Sequence, residues 1–182
     1  MEYGLGQWGA LCTVVVGSTR AALGEATAGL EEMRRGLAES RAARAEIFRP
    51  IILALIAEAE LARGEVEAGL TLIDDALAQT EVHGERLYEA ELHRIRGELQ
   101  LAGAVPDPTG AEQSFERAIE VTRQQQARSW ELRAASSLAR LWQRQGRCED
   151  ARRLVAEATA GFPEGSDSGD LRAAKELLAR LA

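Results

Sequence analysis

Apolar and small residues recur along this chain at helical spacing, and the whole pattern repeats with a period of about 40 residues. In the stretch Arg63 to Leu77, residues Gly69, Ile73 and Ala76 stand at i, i+4 and i+7, on one face of a helix. The same small–apolar–small triplet occurs as Gly29/Met33/Gly36, Ala111/Phe115/Ala118 and Ala151/Val155/Ala158, at successive offsets of 40, 42 and 40 along the series. A second register runs through the small residues Gly17, Ala57, Gly97 and Ala139, at offsets of 40, 40 and 42. The two registers part at one place only. The most turn-like segment of the chain, Gly103 to Gly110 with Pro106 and Pro108, lies there. A period of this length marks stacked helical hairpins, each with an apolar face that only a neighbour can cover.

Taking each hairpin as helix A then helix B, the pattern predicts hairpins over about residues 4–43, 46–81, 85–126 and 128–160. A capping helix follows at 170–181, all within a single domain, 1–182. The first helix is the least regular, because Leu11-Cys12-Thr13-Val14-Val15-Val16 has the propensity of a strand and only the register through Gly17 argues for helix. The second A helix, Glu46 to Arg63, is apolar on most sides (Ile47, Phe48, Ile51, Ile52, Leu55, Ile56), as expected of a helix sandwiched between neighbours. Pro50 suits its first turn and Gly64 its C-terminal cap. Further helices are expected at 85–101, 111–126, 128–145 and 149–160. A break at Gly161–Gly169 precedes the last helix, with Asp167 or Ser168 as its N-cap. Ala179 stands one period after Ala139 and marks that helix as the first half of a fifth hairpin.

The small, apolar and small positions resemble the tetratricopeptide repeat (TPR) family over nearly the whole chain. The period departs from that family's, which is about 34 residues, and most of its aromatic and proline positions are missing. The resemblance implies an all-α, right-handed superhelix that presents a surface. A narrower resemblance lies in Glu85–Leu99 and Ser129–Trp142, extending into Gln145-Gly146-Arg147 and Asp170–Leu178. These stretches are similar to the C-terminal repeat region of large bacterial signalling ATPases and cyclase-type or transcription-regulating proteins. That likeness implies a regulatory arm whose partner is a protein or peptide, including an upstream ATPase or cyclase module. A small-molecule effector in the A-helix groove is the alternative.

Composition supports the helical reading. The hydrophobic fraction is 46% but aromatics are only 4%, so alanine and leucine carry the core and favour close helix packing. With a net charge of −7, the chain is not expected to bind nucleic acid directly. No apolar run reaches membrane-spanning length, and the start lacks the pattern of a secretory leader, so a cytoplasmic setting is expected. Cys12 and Cys148 are far apart, with no CxxC spacing, and are expected to be buried thiols.

Chemistry is sparse. Gly4-Leu5-Gly6-Gln7-Trp8-Gly9 matches GxGxxG literally, but a dinucleotide fingerprint needs a preceding strand and a βαβ unit. There is no GxxxxGK[ST]. His83 and His93 lack metal-ligand spacing, and Asp74, Asp75, Glu58 and Glu60 read as solvated faces. No catalytic residue, metal or cofactor is therefore expected, and the chain is not read as an enzyme. Trp130 and Trp142 both fall on the fourth A helix, and at least one is expected in the core. The candidate binding residues on the A-helix face are Trp130, Arg133, Arg140 and His93. Charge is uneven: residues 55–100 hold eleven acids against four arginines, and residues 116–160 hold nine arginines against six acids. A surface so polarised could select acidic peptides near residues 128–153 or support self-association.

Overall fold

The computed structural model describes residues 5–43, 47–163 and 166–181. Gly4 of the GxGxxG match, the expected helix start at Glu46, two residues of the expected break (Glu164, Gly165) and Ala182 lie outside them. Among the described residues there are nine helices and no strand. They are α1 (Leu5–Ala22), α2 (Ala26–Ala42), α3 (Arg49–Ala62), α4 (Val66–His83), α5 (Glu89–Ala102), α6 (Pro108–Gln125), α7 (Arg128–Arg144), α8 (Cys148–Ala160) and α9 (Gly169–Arg180). The chain divides into two compact units, one built on α1–α4 and the other on α5–α9.

The A-to-B turns share one local geometry. Gly24, Gly64 and Gly146 follow α1, α3 and α7 with φ of +98°, +79° and +80°, a conformation that favours a residue without Cβ. In each, the next N–H reaches back to close the helix end: Glu25 to the Arg20 carbonyl at 3.0 Å, Glu65 to Glu60 at 2.9 Å and Arg147 to Trp142 at 2.8 Å. The third turn breaks this pattern. There Asp107 caps α6 by accepting the Gly110 N–H at 2.9 Å, and Pro108 occupies the first turn. Helix α6 therefore starts earlier than expected, at Pro108 and not at Ala111. Helices α3 and α5 start later than expected, after Phe48 and Tyr88. Pro50 in the first turn of α3 and Glu89 and Glu91 in that of α5 suit those starts.

In the first unit α1 lies against α2 along small residues. A Cβ on Gly17 would stand 2.6 Å from the Gly29 carbonyl oxygen and 2.8 Å from Cγ of Met33; one on Gly36 would stand 2.6 Å from Cγ2 of Val14. This contact overrides the strand propensity of residues 10–16, since Ala10 and Val14 are buried on it. Helix α3 packs between α2 and α4, with Ile52, Leu53, Ile56 and Ala57 almost wholly buried. The expectation for Glu60 is corrected. It is not on a solvated face but 2% exposed, held by Arg34 at 2.6 Å and Arg63 at 3.0 Å.

In the second unit Ala111, Phe115, Ala118 and Ile119 of α6 meet Ala134, Ala135, Leu138 and Leu141 of α7 in one cluster. A second cluster joins Leu132 and Ala139 of α7, Ala151 and Val155 of α8, and Leu171, Ala174 and Leu177 of α9. Gly97 of α5 seats the Phe115 ring, since a Cβ there would stand 2.5 Å from its Cε1. Ser168, of the two expected caps, accepts the Leu171 N–H at 3.2 Å. Ala179 is exposed. Neither Trp130 nor Trp142 is fully buried, although Trp142 packs against both clusters. The cysteines also depart from expectation, being exposed. Cys12 points away from the side of α1 that carries buried Ala10 and Val14, and Cys148 opens α8 at a solvent-facing turn.

Gly97→Ala is expected to destabilise the protein by about 1–3 kcal/mol in urea unfolding, because the fully buried Phe115 ring would have to shift to clear the added Cβ. Gly161→Ala, whose Cβ would have no neighbour nearer than 3.7 Å, should stay within about 0.5 kcal/mol.

Candidate functional site on the A-helix face

The A helices of the second unit are α5, α7 and α9, and they line a polar cleft of about 180 Å³. Arg94 and Glu98 come from α5, Arg133, Ser136, Ser137 and Arg140 from α7, and Asp170 and Ala173 from α9. Under the cleft lies Glu91, 1% exposed. Its carboxylate accepts from Nε of Arg94 at 3.1 Å and from an amino group of Arg133 at 3.1 Å. A buried acid with two guanidinium partners is neutralised in place, and removing either partner would leave charge uncompensated. Ser137 donates to Glu98 at 2.6 Å. Arg140 is exposed on the rim and makes no ion pair among the described residues.

Of the four residues expected on this face, the cleft unites Arg133 and Arg140 only. Their roles differ, since Arg133 is committed to Glu91 and Arg140 is available. Trp130, half-buried, borders a separate surface hollow with Ala127, Arg128 and Ser129. His93 lies on another side of α5, beside Arg96, Gln100, Ser114 and Arg117. Burial, then the charges of Arg117 and Arg96, push its imidazole down to about 4. It is therefore neutral at pH 7, and its 3.9 Å approach to Glu89 is not an ion pair. Glu89 is engaged by Arg117 at 3.2 Å instead.

The sequence reading missed Glu91, Arg94, Glu98 and Asp170. A signal for two of them was present. Glu91 and Arg133, like Glu98 and Arg140, are separated by one widened period and so occupy the same repeat position on successive A helices. Of these two opposite-charge pairs, Glu91 and Arg133 meet across neighbouring helices, while Glu98 accepts from Ser137 instead. Another regularity was also overlooked: Trp8, Phe48, Tyr88 and Trp130 share one repeat position. The rings of Trp8 and Phe48 lie 5.0 Å apart, an aromatic contact within the first unit. No group of three or more His, Cys, Asp or Glu positioned to hold a metal occurs among the described residues. No described helix is long and apolar enough to cross a membrane.

These features define an all-α helical-repeat fold of the TPR-like solenoid type. Two similar solved structures carry that assignment. One is a Podosopora anserina protein assigned as a kinesin light chain with nearly identical TPR-like repeats: TM-score 0.71 and 18% identity, covering 100% of this chain and 87% of that one. The other is a single-substitution variant of that protein: TM-score 0.72 and 16% identity, covering 98% and 87%. At such identities the likeness concerns the fold. No protein-family model matches the sequence, and no curated protein matches it either.

The depressed His93 value predicts acid sensitivity of a definite sign. The unfolded imidazole takes its proton near pH 6.5 and the folded one only near 4. The stability associated with neutral His93 is thus complete above pH 6.5 and is lost as pH falls from 6.5 towards 4. His93→Gln should remove about 2 kcal/mol of that acid-induced loss, seen as a smaller drop in urea midpoint between pH 7 and pH 4.5.

Proposed function

We propose that this chain is a non-catalytic helical-repeat scaffold for protein–protein interaction, and that the α5/α7/α9 cleft receives an acidic segment of a partner. The observation that carries this reading is the state of the charges there. Glu91 is neutralised by Arg94 and Arg133, Glu98 keeps its charge but accepts from Ser137, Asp170 lies exposed on the α9 side, and Arg140 has no ion pair among the described residues and stands as a cation at the rim. A carboxylate approaching Arg140 would meet the guanidinium groups of Arg94 and Arg133 and the Ser136 hydroxyl, with the buried Glu91 already compensated. The cleft's size supports a side chain or a peptide more than an effector. At about 180 Å³ it is smaller than the roughly 300–1,000 Å³ of small-molecule sites, and it is polar where those are mostly apolar.

The finer reading extends the resemblance of residues 85–99 and 129–142. On it, the chain is the C-terminal arm of a bacterial signalling ATPase or cyclase-type protein. It would work in the cytoplasm as one repeat domain and report on partners to a catalytic module carried elsewhere. Trp130 and His93, outside the cleft, have no part in the peptide contact on this view.

Fluorescence anisotropy with a labelled Glu/Asp-rich decapeptide tests the proposal. Binding should weaken as salt rises from 50 to 300 mM, and Arg140→Glu should weaken it about tenfold while leaving the thermal midpoint in place. Arg133→Glu should instead lower the midpoint, because it leaves Glu91 facing a like charge. Peptide affinity indifferent both to salt and to Arg140 reversal would remove the basis of the reading.

A further inference from the structure

A second cavity in the same unit lies between the B helices α6 and α8, over α7. Its volume is about 410 Å³, and its walls are Ile119 of α6, Leu138 and Trp142 of α7 and Leu154 of α8. In size and apolar character it fits a small-molecule site. It shares no lining residue with the A-face cleft.

Two ion pairs border it. At one end Arg147, the N-cap of α8, reaches Glu112 of α6 at 2.8 Å, and its guanidinium carbon sits 4.3 Å from the centre of the Trp142 ring. The indole N–H also donates to Glu112, at 2.7 Å. Burial raises the Glu112 carboxyl, but these two donors outweigh it and hold the group below the ordinary carboxylate range, ionised in the bridge. The ring is therefore fixed as a preformed wall. At the other end Arg123 of α6 pairs with Glu131 of α7 at 2.7 Å. A hollow bridged at one end and about 410 Å³ in volume suits a compact ligand better than a helix laid along it.

The rim charges are settled in the same way. Glu112, Glu116 and Glu120 follow one another at i, i+4 and i+8 on one stripe of α6. Glu112 is taken by Trp142 and Arg147, and Glu120 accepts from Arg117 at 2.6 Å and from Gln124 at 3.4 Å. Arg123 is occupied by Glu131. Glu116, midway and lining the cavity, is exposed and has neither ion pair nor hydrogen bond among the described residues. We propose that this cavity binds a small apolar organic cation, whose hydrocarbon body lies against Ile119, Leu138, Trp142 and Leu154 and whose ammonium head pairs with Glu116. The site is independent of the peptide reading of the A-face cleft.

The test is a ¹H–¹⁵N titration of the intact chain with phenethylammonium, following the three tryptophan indole signals. The Trp142 signal should move saturably, while those of Trp8 and Trp130 stay still. Neutral 2-phenylethanol should bind about threefold more weakly, in line with one exposed charge pair, and anionic 3-phenylpropionate more weakly again. Glu116→Gln should erase the preference of cation over alcohol. Leu154→Lys, which places an ammonium of its own in the hollow, should abolish saturable binding at unchanged helicity. Arg140→Glu should leave the titration unaltered even if it ends peptide binding. The proposal is overturned by an unsaturable Trp142 signal, by equal affinity for the three probes, or by an undiminished cation preference in Glu116→Gln, a variant that keeps the fold whatever becomes of Leu154→Lys.

Discussion

Where α1 crosses α2, the backbones at Gly17 and Gly29 come so close that a methyl group on either would strike the other's carbonyl oxygen. The same demand is met differently in each hairpin. Ala57 and Ala76 are fully buried in the second, Gly97 accommodates the ring of Phe115 in the third, and Ala139 joins Ala151 and Val155 in the fourth. Where a larger side chain reaches the crossing it faces a glycine, as Met33 faces Gly17, Val14 faces Gly36 and Phe115 faces Gly97. Dispersion and burial grow as helices approach, but only where side-chain volume is withheld at the crossing. The recurring period is the sequence record of that requirement.

Charge then fills the positions that packing leaves. In the first unit the A-helix position of Leu11 and Ile51 is apolar, and in the second its equivalents are Glu91 and Arg133, which pair. The two units thus share a scaffold and differ in what their A helices show. The second unit also has a B-helix side where Glu112 organises Trp142 and Arg147, and where Glu116 has no ion pair among the described residues. The polar cleft and the apolar hollow both draw on α7 but share no lining residue, so one helix contributes to two surfaces of different character.

Sequence-level reasoning was strongest where the constraint was local or periodic. The triplets through Met33, Ile73, Phe115 and Val155, the turn glycines at 64 and 146 and the Ser168 cap were legible because helix geometry and φ preferences act over short spans of chain. It was weakest for polar residues. Glu60 and Glu91 are buried, yet their one-letter context is that of any solvated helix; each is held by an arginine from a different helix, Arg34 and Arg133 respectively. Cys12 and Cys148 erred in the other direction, because a thiol's apolar character says nothing of which helix face it occupies.

The candidate site divides along the same line. That an A-helix face should carry the contacts, with Arg133 and Arg140 as candidates, was an expectation from the resemblance to the repeat family, and the uneven distribution of arginine added the acidic-peptide reading. The register also placed His93 and Trp130 on A helices, but a helix has several faces, and theirs point to other surroundings. By itself the sequence determined which elements form and which small residues they pack through, since these depend on spacing along one chain. Only the tertiary structure decided which arginine is committed to a buried acid, which is left at the rim, and where an apolar hollow remains. Those outcomes depend on distances between helices that no single helix specifies.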